Sequence, residues 1–225
     1  MYLCRHNPIY LALDTDSYTQ SERFLNELDG LVGGIKIGLE FWCKFGPEKA
    51  KHIVGTNDWF LDLKLHDIPA TVGKAISAVL QLEPNFISIH ESGGTEMMCA
   101  AVEAADYAPT LGLRRPNILA VTTLTSINRP VDYILAQAQN ALACKVDGLI
   151  SSPLEIAALR GRFGNSFISM VPGIRPSDAE INDQIRISTP KLAIENGADY
   201  LVIGRPITKS SNPALVCRQI LKSLA

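Results

Sequence analysis

The stretch Trp59-Phe60-Leu61-Asp62-Leu63-Lys64-Leu65-His66-Asp67-Ile68-Pro69-Ala70-Thr71 begins as a strand and ends as the start of a helix. Trp59, Leu61, Leu63 and Leu65 alternate with Phe60, Asp62 and Lys64. Side chains alternate faces along a strand, so Asp62 and Lys64 are expected on the same side. Asp67 follows just beyond the strand end. Pro69 suits the first turn of a helix, where its missing N–H costs nothing. A strand that runs straight into a helix is the opening of a β/α unit.

Outward from this stretch, short apolar runs recur along the whole chain. They are Ile9–Asp14, Gly34–Gly38, Trp59–Lys64, Phe86–His90, Ile118–Leu124, Gly148–Ser152, Phe167–Pro172 and Tyr200–Arg205. Segments of helical spacing lie between them. Ile68, Val72, Ala75, Ile76 and Val79 form one apolar stripe; Ile134, Leu135, Ala138, Ala141 and Leu142 form another. Thr189-Pro190 and Asn212-Pro213 each offer an N-cap followed by proline, and Gly164 and Gly197 sit where helix C-caps are expected. Strands alternating with helices imply a parallel sheet. Eight units in 225 residues favour a closed (β/α)8 barrel of the TIM type over an open doubly wound sheet. No GxGxxG follows the first run, which argues against dinucleotide binding. With no linker, low-complexity tract or charge block, residues 1–225 read as a single domain.

Composition narrows the function classes. Hydrophobic residues make up 47% of the chain, ample for one core, and the net charge is −2. No basic run is visible, so no nucleic-acid partner is expected. Five scattered cysteines without a CxxC pair read as reduced thiols. His6, His52, His66 and His90 show no HxH or HExxH spacing, and no metal site is expected. There is neither a signal-peptide pattern at the start nor an apolar run of membrane-spanning length. The expectation is a cytoplasmic protein without a membrane partner.

In such barrels the site forms at the C-terminal ends of the strands. Polar residues fall at those ends here: Asp14, Lys36, Asp62 with Lys64, His90, Thr123 with Thr125 and Ser126, Arg175, and Arg205. Two constellations stand out. Lys36, Asp62, Lys64 and Asp67 form an alternating charge array, which lets each buried charge find partners. It reads either as a structural network closing the barrel mouth or as a ligand site. Pro172-Gly173-Ile174-Arg175 and Ile203-Gly204-Arg205 end the seventh and eighth runs, where barrels commonly hold phosphate. Glycine lets backbone N–H groups approach an anion, and a guanidinium adds bidentate contacts. The plainer reading of these glycines is that they only make turns. His66 and His90 read as packed rather than catalytic, and Asp67 also suits an anion position at a helix N-terminus.

Asp62-x-Lys64-x-x-Asp67-Ile68-Pro69-x-Thr71, with Lys36 one strand earlier, resembles the active-site motif of the orotidine 5′-phosphate decarboxylase family. Leu124-Thr125-Ser126, Pro172-Gly173-Ile174-Arg175-Pro176, Asp183-Gln184 and Val202-Ile203-Gly204-Arg205-Pro206-Ile207-Thr208 resemble its bacterial members. The resemblance implies a homodimer that converts orotidine 5′-monophosphate to UMP and carbon dioxide without metal or organic cofactor. It further implies that Lys64 protonates C6 of the pyrimidine and that Asp62 lies beside the substrate carboxylate. Lys36 and Asp14 would contact the ribose, and Ser126 the pyrimidine edge, with Thr125 next to it. Gln184, Gly204 and Arg205 would hold the phosphate, with Pro172 and Arg175 on a mobile loop nearby. Asp67 and Thr71 would enter the neighbouring subunit's site. Glu91 departs from the small residue expected after His90, and its direction is open.

Two other readings share these residues. One is a magnesium-dependent sugar-phosphate decarboxylase or aldolase of the same superfamily, against which Lys36 stands where an acidic residue is expected. The other is a barrel that binds nucleotide without turning it over.

Overall fold

The computed structural model describes residues 7–175 and 188–224. Eight parallel strands close into a barrel in chain order: β1 (Ile9–Ala12), β2 (Gly34–Gly38), β3 (Trp59–Leu65), β4 (Phe86–His90), β5 (Asn117–Val121), β6 (Gly148–Ile150), β7 (Ile168–Val171) and β8 (Tyr200–Ile203). Pairing of Ile9 with Leu201 and Leu11 with Ile203 joins β8 back to β1. The helices outside are α1 (Tyr18–Glu27), α2 (Leu39–Val54), α3 (Pro69–Val79), α4 (Thr95–Asp106), α5 (Val131–Ala143), α6 (Ile156–Phe163), α7 (Pro190–Glu195), α8 (Arg205–Thr208) and α9 (Pro213–Leu224). The expected (β/α)8 barrel is the observed fold. No helix among the described residues is long and apolar enough to cross a membrane.

The punctuation works as the residue types dictate. Thr189 Oγ1 accepts from Leu192 N at the start of α7, and Asn212 Oδ1 accepts from Leu215 N at the start of α9. Gly164 ends α6 with φ 66°, a conformation that penalises other residues. One expectation fails at α3. Ile68 was placed on the apolar stripe with Val72 and Ile76, but it is 65% exposed while those two are buried. Ile68 is the cap residue before the helix begins, so helical spacing does not govern where it points.

The core has two layers, as a barrel requires. The larger lies between strands and helices and includes Ile35, Ile37, Leu61, Ile87 and Ile89. The smaller fills the barrel interior with Tyr10, Phe60, Phe86, Leu119, Met170 and Val202. Tyr10, Phe86 and Tyr200 meet edge to face with centroids 5.3–5.7 Å apart. These rings occupy the interior, and Lys36, Asp62 and Lys64 lie toward the C-terminal ends. At the opposite face, Asp147 and Asp199 stitch strands together. Asp147 Oδ2 accepts from Ile118 N and from Arg115 Nη1. Asp199 Oδ2 accepts from Ser169 N and from Arg160 Nη2.

Gly148 marks a close approach. A Cβ there would overlap the Ile168 carbonyl oxygen and lie 2.8 Å from Leu119 Cδ2. Gly148→Ala should therefore push β6 away from β7 and cost about 1–3 kcal/mol, readable as a lower urea midpoint. An unchanged midpoint would contradict this packing.

Candidate active site

Strand register brings the charges together. Ala12 pairs with Lys36, Lys36 with Phe60, and Gly38 with Asp62, so Asp62 stands one inward position beyond Lys36 on the neighbouring strand, within reach of its ammonium. Lys36 Nζ donates to Asp14 Oδ1 at 3.0 Å and lies 3.5 Å from Asp62 Oδ2. Lys64 Nζ donates to Asp62 Oδ2 at 2.8 Å. The array runs Asp14–Lys36–Asp62–Lys64 and is neutral in sum. A Cβ on Gly38 would lie 2.6 Å from Lys36 Nζ and 2.8 Å from Asp14 Oδ1, so the glycine leaves room for this pair.

Lys64 does not reach Asp62 by simple strand alternation. The β3–β4 register shifts between Leu61 and Leu65, and Lys64 has φ 51°. A left-handed conformation in a residue with a side chain is uncommon and carries strain. Ser88 on β4 compensates: its Oγ accepts from Lys64 N at 2.8 Å and donates to Asp62 Oδ1 at 2.9 Å. Ser88 was missed in the sequence reading. The signal was a lone serine at an inward position between Phe86 and His90.

Electrostatics fixes the ionisation of the buried pair. Burial raises the Asp62 pKa, but Lys36 and Lys64, helped by hydrogen bonds from Lys64 and Ser88, carry it below the ordinary carboxylate value. Burial lowers the Lys36 pKa, and Asp62 and Asp14 more than offset this, so it ends above the ordinary lysine value. His90 is held below the usual imidazole value by burial, then by His66 and Lys64. The His66 and His90 rings lie 5.4 Å apart, and neither lines the cavity.

The array lies against a cavity of about 570 Å³. Asp14, Lys36, Asp62 and Lys64 line it on one side. Thr125, Pro172, Arg175, Gly204 and Arg205 also contribute. In an eight-strand ring β7 stands across from β3, so Pro172 and Arg175 face the array over the mouth. Arg175 is 6% exposed, and its backbone N donates to Ser188 O at 2.9 Å. Lys209, just after α8, lines the cavity too and was not anticipated. The remaining candidates are elsewhere. Ser126 is exposed and does not line the cavity. Asp67 and Thr71 are exposed on the outer side of the β3–α3 turn, where Asp67 Oδ1 accepts from Ile68 N. Gln184, with Asp183 and Pro176, lies outside the described residues. Glu91 is 8% exposed and points away from the cavity, into α5. An ammonium fixed beside a carboxylate can stabilise or protonate a developing carbanion. The glycines and arginines across the mouth suit an anion.

Fold and site define a (β/α)8-barrel enzyme working at the C-terminal ends of its strands. The model of the orotidine 5′-phosphate decarboxylase / HUMPS family matches residues 7–220. Orotidine 5′-phosphate decarboxylase of Gluconobacter oxydans is 40% identical over 99% of both chains. That of Paramagnetospirillum magneticum is 42% identical over 97% of this chain and 98% of its own. The crystal structure of orotidine 5′-phosphate decarboxylase from Lactobacillus acidophilus superposes with a TM-score of 0.84 at 34% identity, covering 97% of this chain and 99% of that one. The chain belongs to the orotidine 5′-phosphate decarboxylase / HUMPS family.

The shifted pKa values carry a sign. The folded pKa of Asp62 is depressed, so its contribution to stability is full above its unfolded value near ~4 and is lost as pH falls through the folded value. That of Lys36 is raised, so its contribution is full below its unfolded value near ~10 and is lost as pH rises through the folded value. Lys36→Met leaves ionised Asp62 without one of its two cations and should cost about 3–5 kcal/mol near neutral pH. The deficit should shrink as pH falls below the ordinary carboxylate range and Asp62 takes up a proton. Urea denaturation of both proteins across that range reads it, and a pH-independent deficit contradicts the coupling.

Proposed function

We propose that this chain decarboxylates orotidine 5′-monophosphate to UMP and carbon dioxide, as a homodimer. The observation that carries the reading is the Lys36–Asp62–Lys64 array in the same cavity as Arg175, Gly204 and Arg205. The substrate has matching ends, a carboxylate at C6 of the pyrimidine and a phosphate on the ribose. Asp14 and Lys36 are assigned to the ribose hydroxyls, and Gly204, Arg205 and Gln184 to the phosphate, with Pro172 and Arg175 beside it. Thr125, which lines the cavity, is assigned to the pyrimidine.

The chemistry follows from the charges. The C6–carboxylate bond breaks, its electron pair stays on C6, and carbon dioxide leaves. The Lys64 ammonium stabilises that pair and delivers its proton to C6; the resulting amine takes a proton back from water. Its position is held in advance by Asp62, so no reorganisation is needed as charge develops. The largest enzymatic accelerations lower barriers by roughly 20 kcal/mol, more than one cation supplies. Binding energy from the distant phosphate has to contribute at the reacting carbon, which gives Arg205 a part in rate as well as affinity.

The exposed turn from Asp67 to Thr71 is assigned to the partner's site. It projects outward from its own barrel with Ile68 uncovered, as a segment that enters a neighbour would.

Purified protein should consume orotidine 5′-monophosphate with EDTA present, followed by ultraviolet absorbance. Chelator-dependent loss of turnover would favour a magnesium enzyme instead, and UMP binding without turnover a non-catalytic barrel. Lys64→Ala should lose turnover by at least about a thousandfold while still binding UMP. Full activity of that variant removes Lys64 from its role. The shared site makes a second expectation. Lys64→Ala and Asp67→Ala proteins, each inactive, should regain about a quarter of wild-type activity when mixed and re-equilibrated, because heterodimers rebuild one intact site. No recovery despite heterodimer formation would mean that Asp67 serves its own chain.

A further inference from the structure

Glu91 begins the turn after β4 and is buried, yet none of the chemistry above uses it. Its two oxygens meet α5. Oε2 accepts from Gln137 Nε2 at 2.8 Å, and Oε1 from Asn140 Nδ2 at 3.4 Å. Gln137 is buried as well, and its Oε1 accepts from Thr123 Oγ1 at 2.8 Å. Thr123 follows β5 and lines the cavity, two residues before Thr125. A chain of hydrogen bonds thus runs from Glu91 through Gln137 to the cavity wall. An amide donates through nitrogen and accepts through oxygen. By holding the Gln137 nitrogen, Glu91 turns the Gln137 oxygen toward Thr123. In the opposite amide orientation, nitrogen would face Thr123 and oxygen would face the Glu91 carboxylate.

We propose that Glu91 is a positioning residue that fixes, through Gln137 and Thr123, the loop 122–127 against which the ligand's ring lies. The inference rests on the orotidine monophosphate reading for the identity of that ligand, while the anchoring itself does not. Beyond Thr123 this loop is held by a turn, Ile127 N to Leu124 O at 2.9 Å, and by Leu124 packing on the interior cluster. Thr122 ties the loop's start to β6 through Ile150 O, and the Thr123 hydroxyl is a polar tether from the loop to α5.

Losing one positioned contact that acts equally on bound substrate and transition state raises KM and leaves kcat alone. Glu91→Ala should raise KM for orotidine 5′-monophosphate about tenfold, the worth of one hydrogen bond, with kcat within about twofold. It also strands the buried amide of Gln137 and should lower the melting temperature. Adding Gln137→Leu removes the stranded amide of Gln137, so the double variant should regain stability while KM stays high. Glu91→Gln, which keeps an acceptor for Gln137, should restore most of the KM. Amide hydrogen exchange of residues 122–127 should rise in both Ala-containing proteins. KM and loop exchange that recover together with melting temperature in the double variant would make Glu91 merely structural and overturn the proposal; so would unchanged loop exchange in Glu91→Ala. Wild-type protein that fails to turn over the nucleotide defeats the substrate reading, whereas the exchange arm still decides the anchoring.

Discussion

The carboxylate of Asp62 is the point on which the site depends. One oxygen lies 2.8 Å from Lys64 Nζ and 3.5 Å from Lys36 Nζ, and the other accepts the Ser88 hydroxyl. Two ammonium groups at the end of a barrel otherwise filled with aromatic and aliphatic side chains would repel and pay desolvation. The shared carboxylate makes their proximity tolerable. It also helps to hold Lys36 in the charged form, and the two ammonium groups in turn hold Asp62 ionised. Asp14 completes a neutral set of four, so an anionic ligand enters a field that is arranged rather than simply positive. On the proposed reading its phosphate meets the arginine-bearing loops, and its other end meets the array.

The backbone is bent to serve that carboxylate. A regular β3 would carry the strand ladder straight through Lys64; instead the register shifts and Lys64 adopts φ 51°. Such a conformation costs on the order of 1–3 kcal/mol and persists only where neighbours over-determine it. Ser88 does this by taking the Lys64 N–H with the same hydroxyl that donates to Asp62. One small side chain on the next strand therefore sets both the backbone of Lys64 and the carboxylate it pairs with.

How far the sequence reaches can be judged from these residues. The strands were legible because buried parallel strands are continuous apolar runs; Gly34–Gly38 and Phe86–His90 match end to end. The first run and those from the fifth onward extend past the observed strands, because residues such as Asp14, Thr123 and Leu124 lie beyond the ladder and line the cavity. Asp14, Lys36, Asp62, Lys64, Arg175 and Arg205 were legible as charges at strand ends, and the structure gathers them. The bulge at Lys64 was not, since alternation presumes a regular pleat. Ser88 acquires its meaning only from register with β3. Glu91 sits on a short turn whose direction no periodicity predicts, and its partner Gln137 is 46 residues away.

Comparison of the two barrel ends separates a structural charge network from one built to receive something. At the N-terminal face, Arg115 places its nitrogens on Asp106, on both oxygens of Asp147 and on the Pro116 carbonyl. Asp147 in turn accepts a strand N–H. Donors and acceptors there are consumed within the protein, as a strand-stitching device should have them. Lys64 is different. It has three N–H donors, and among the described residues its ammonium has one hydrogen-bond partner, Asp62, while the side chain lines an open cavity. A staple that strained its own backbone to leave donors unused would be a poor staple. The strain at Lys64 is intelligible when those remaining donors are completed by a ligand, which is the asymmetry that a reacting group requires and a structural one does not.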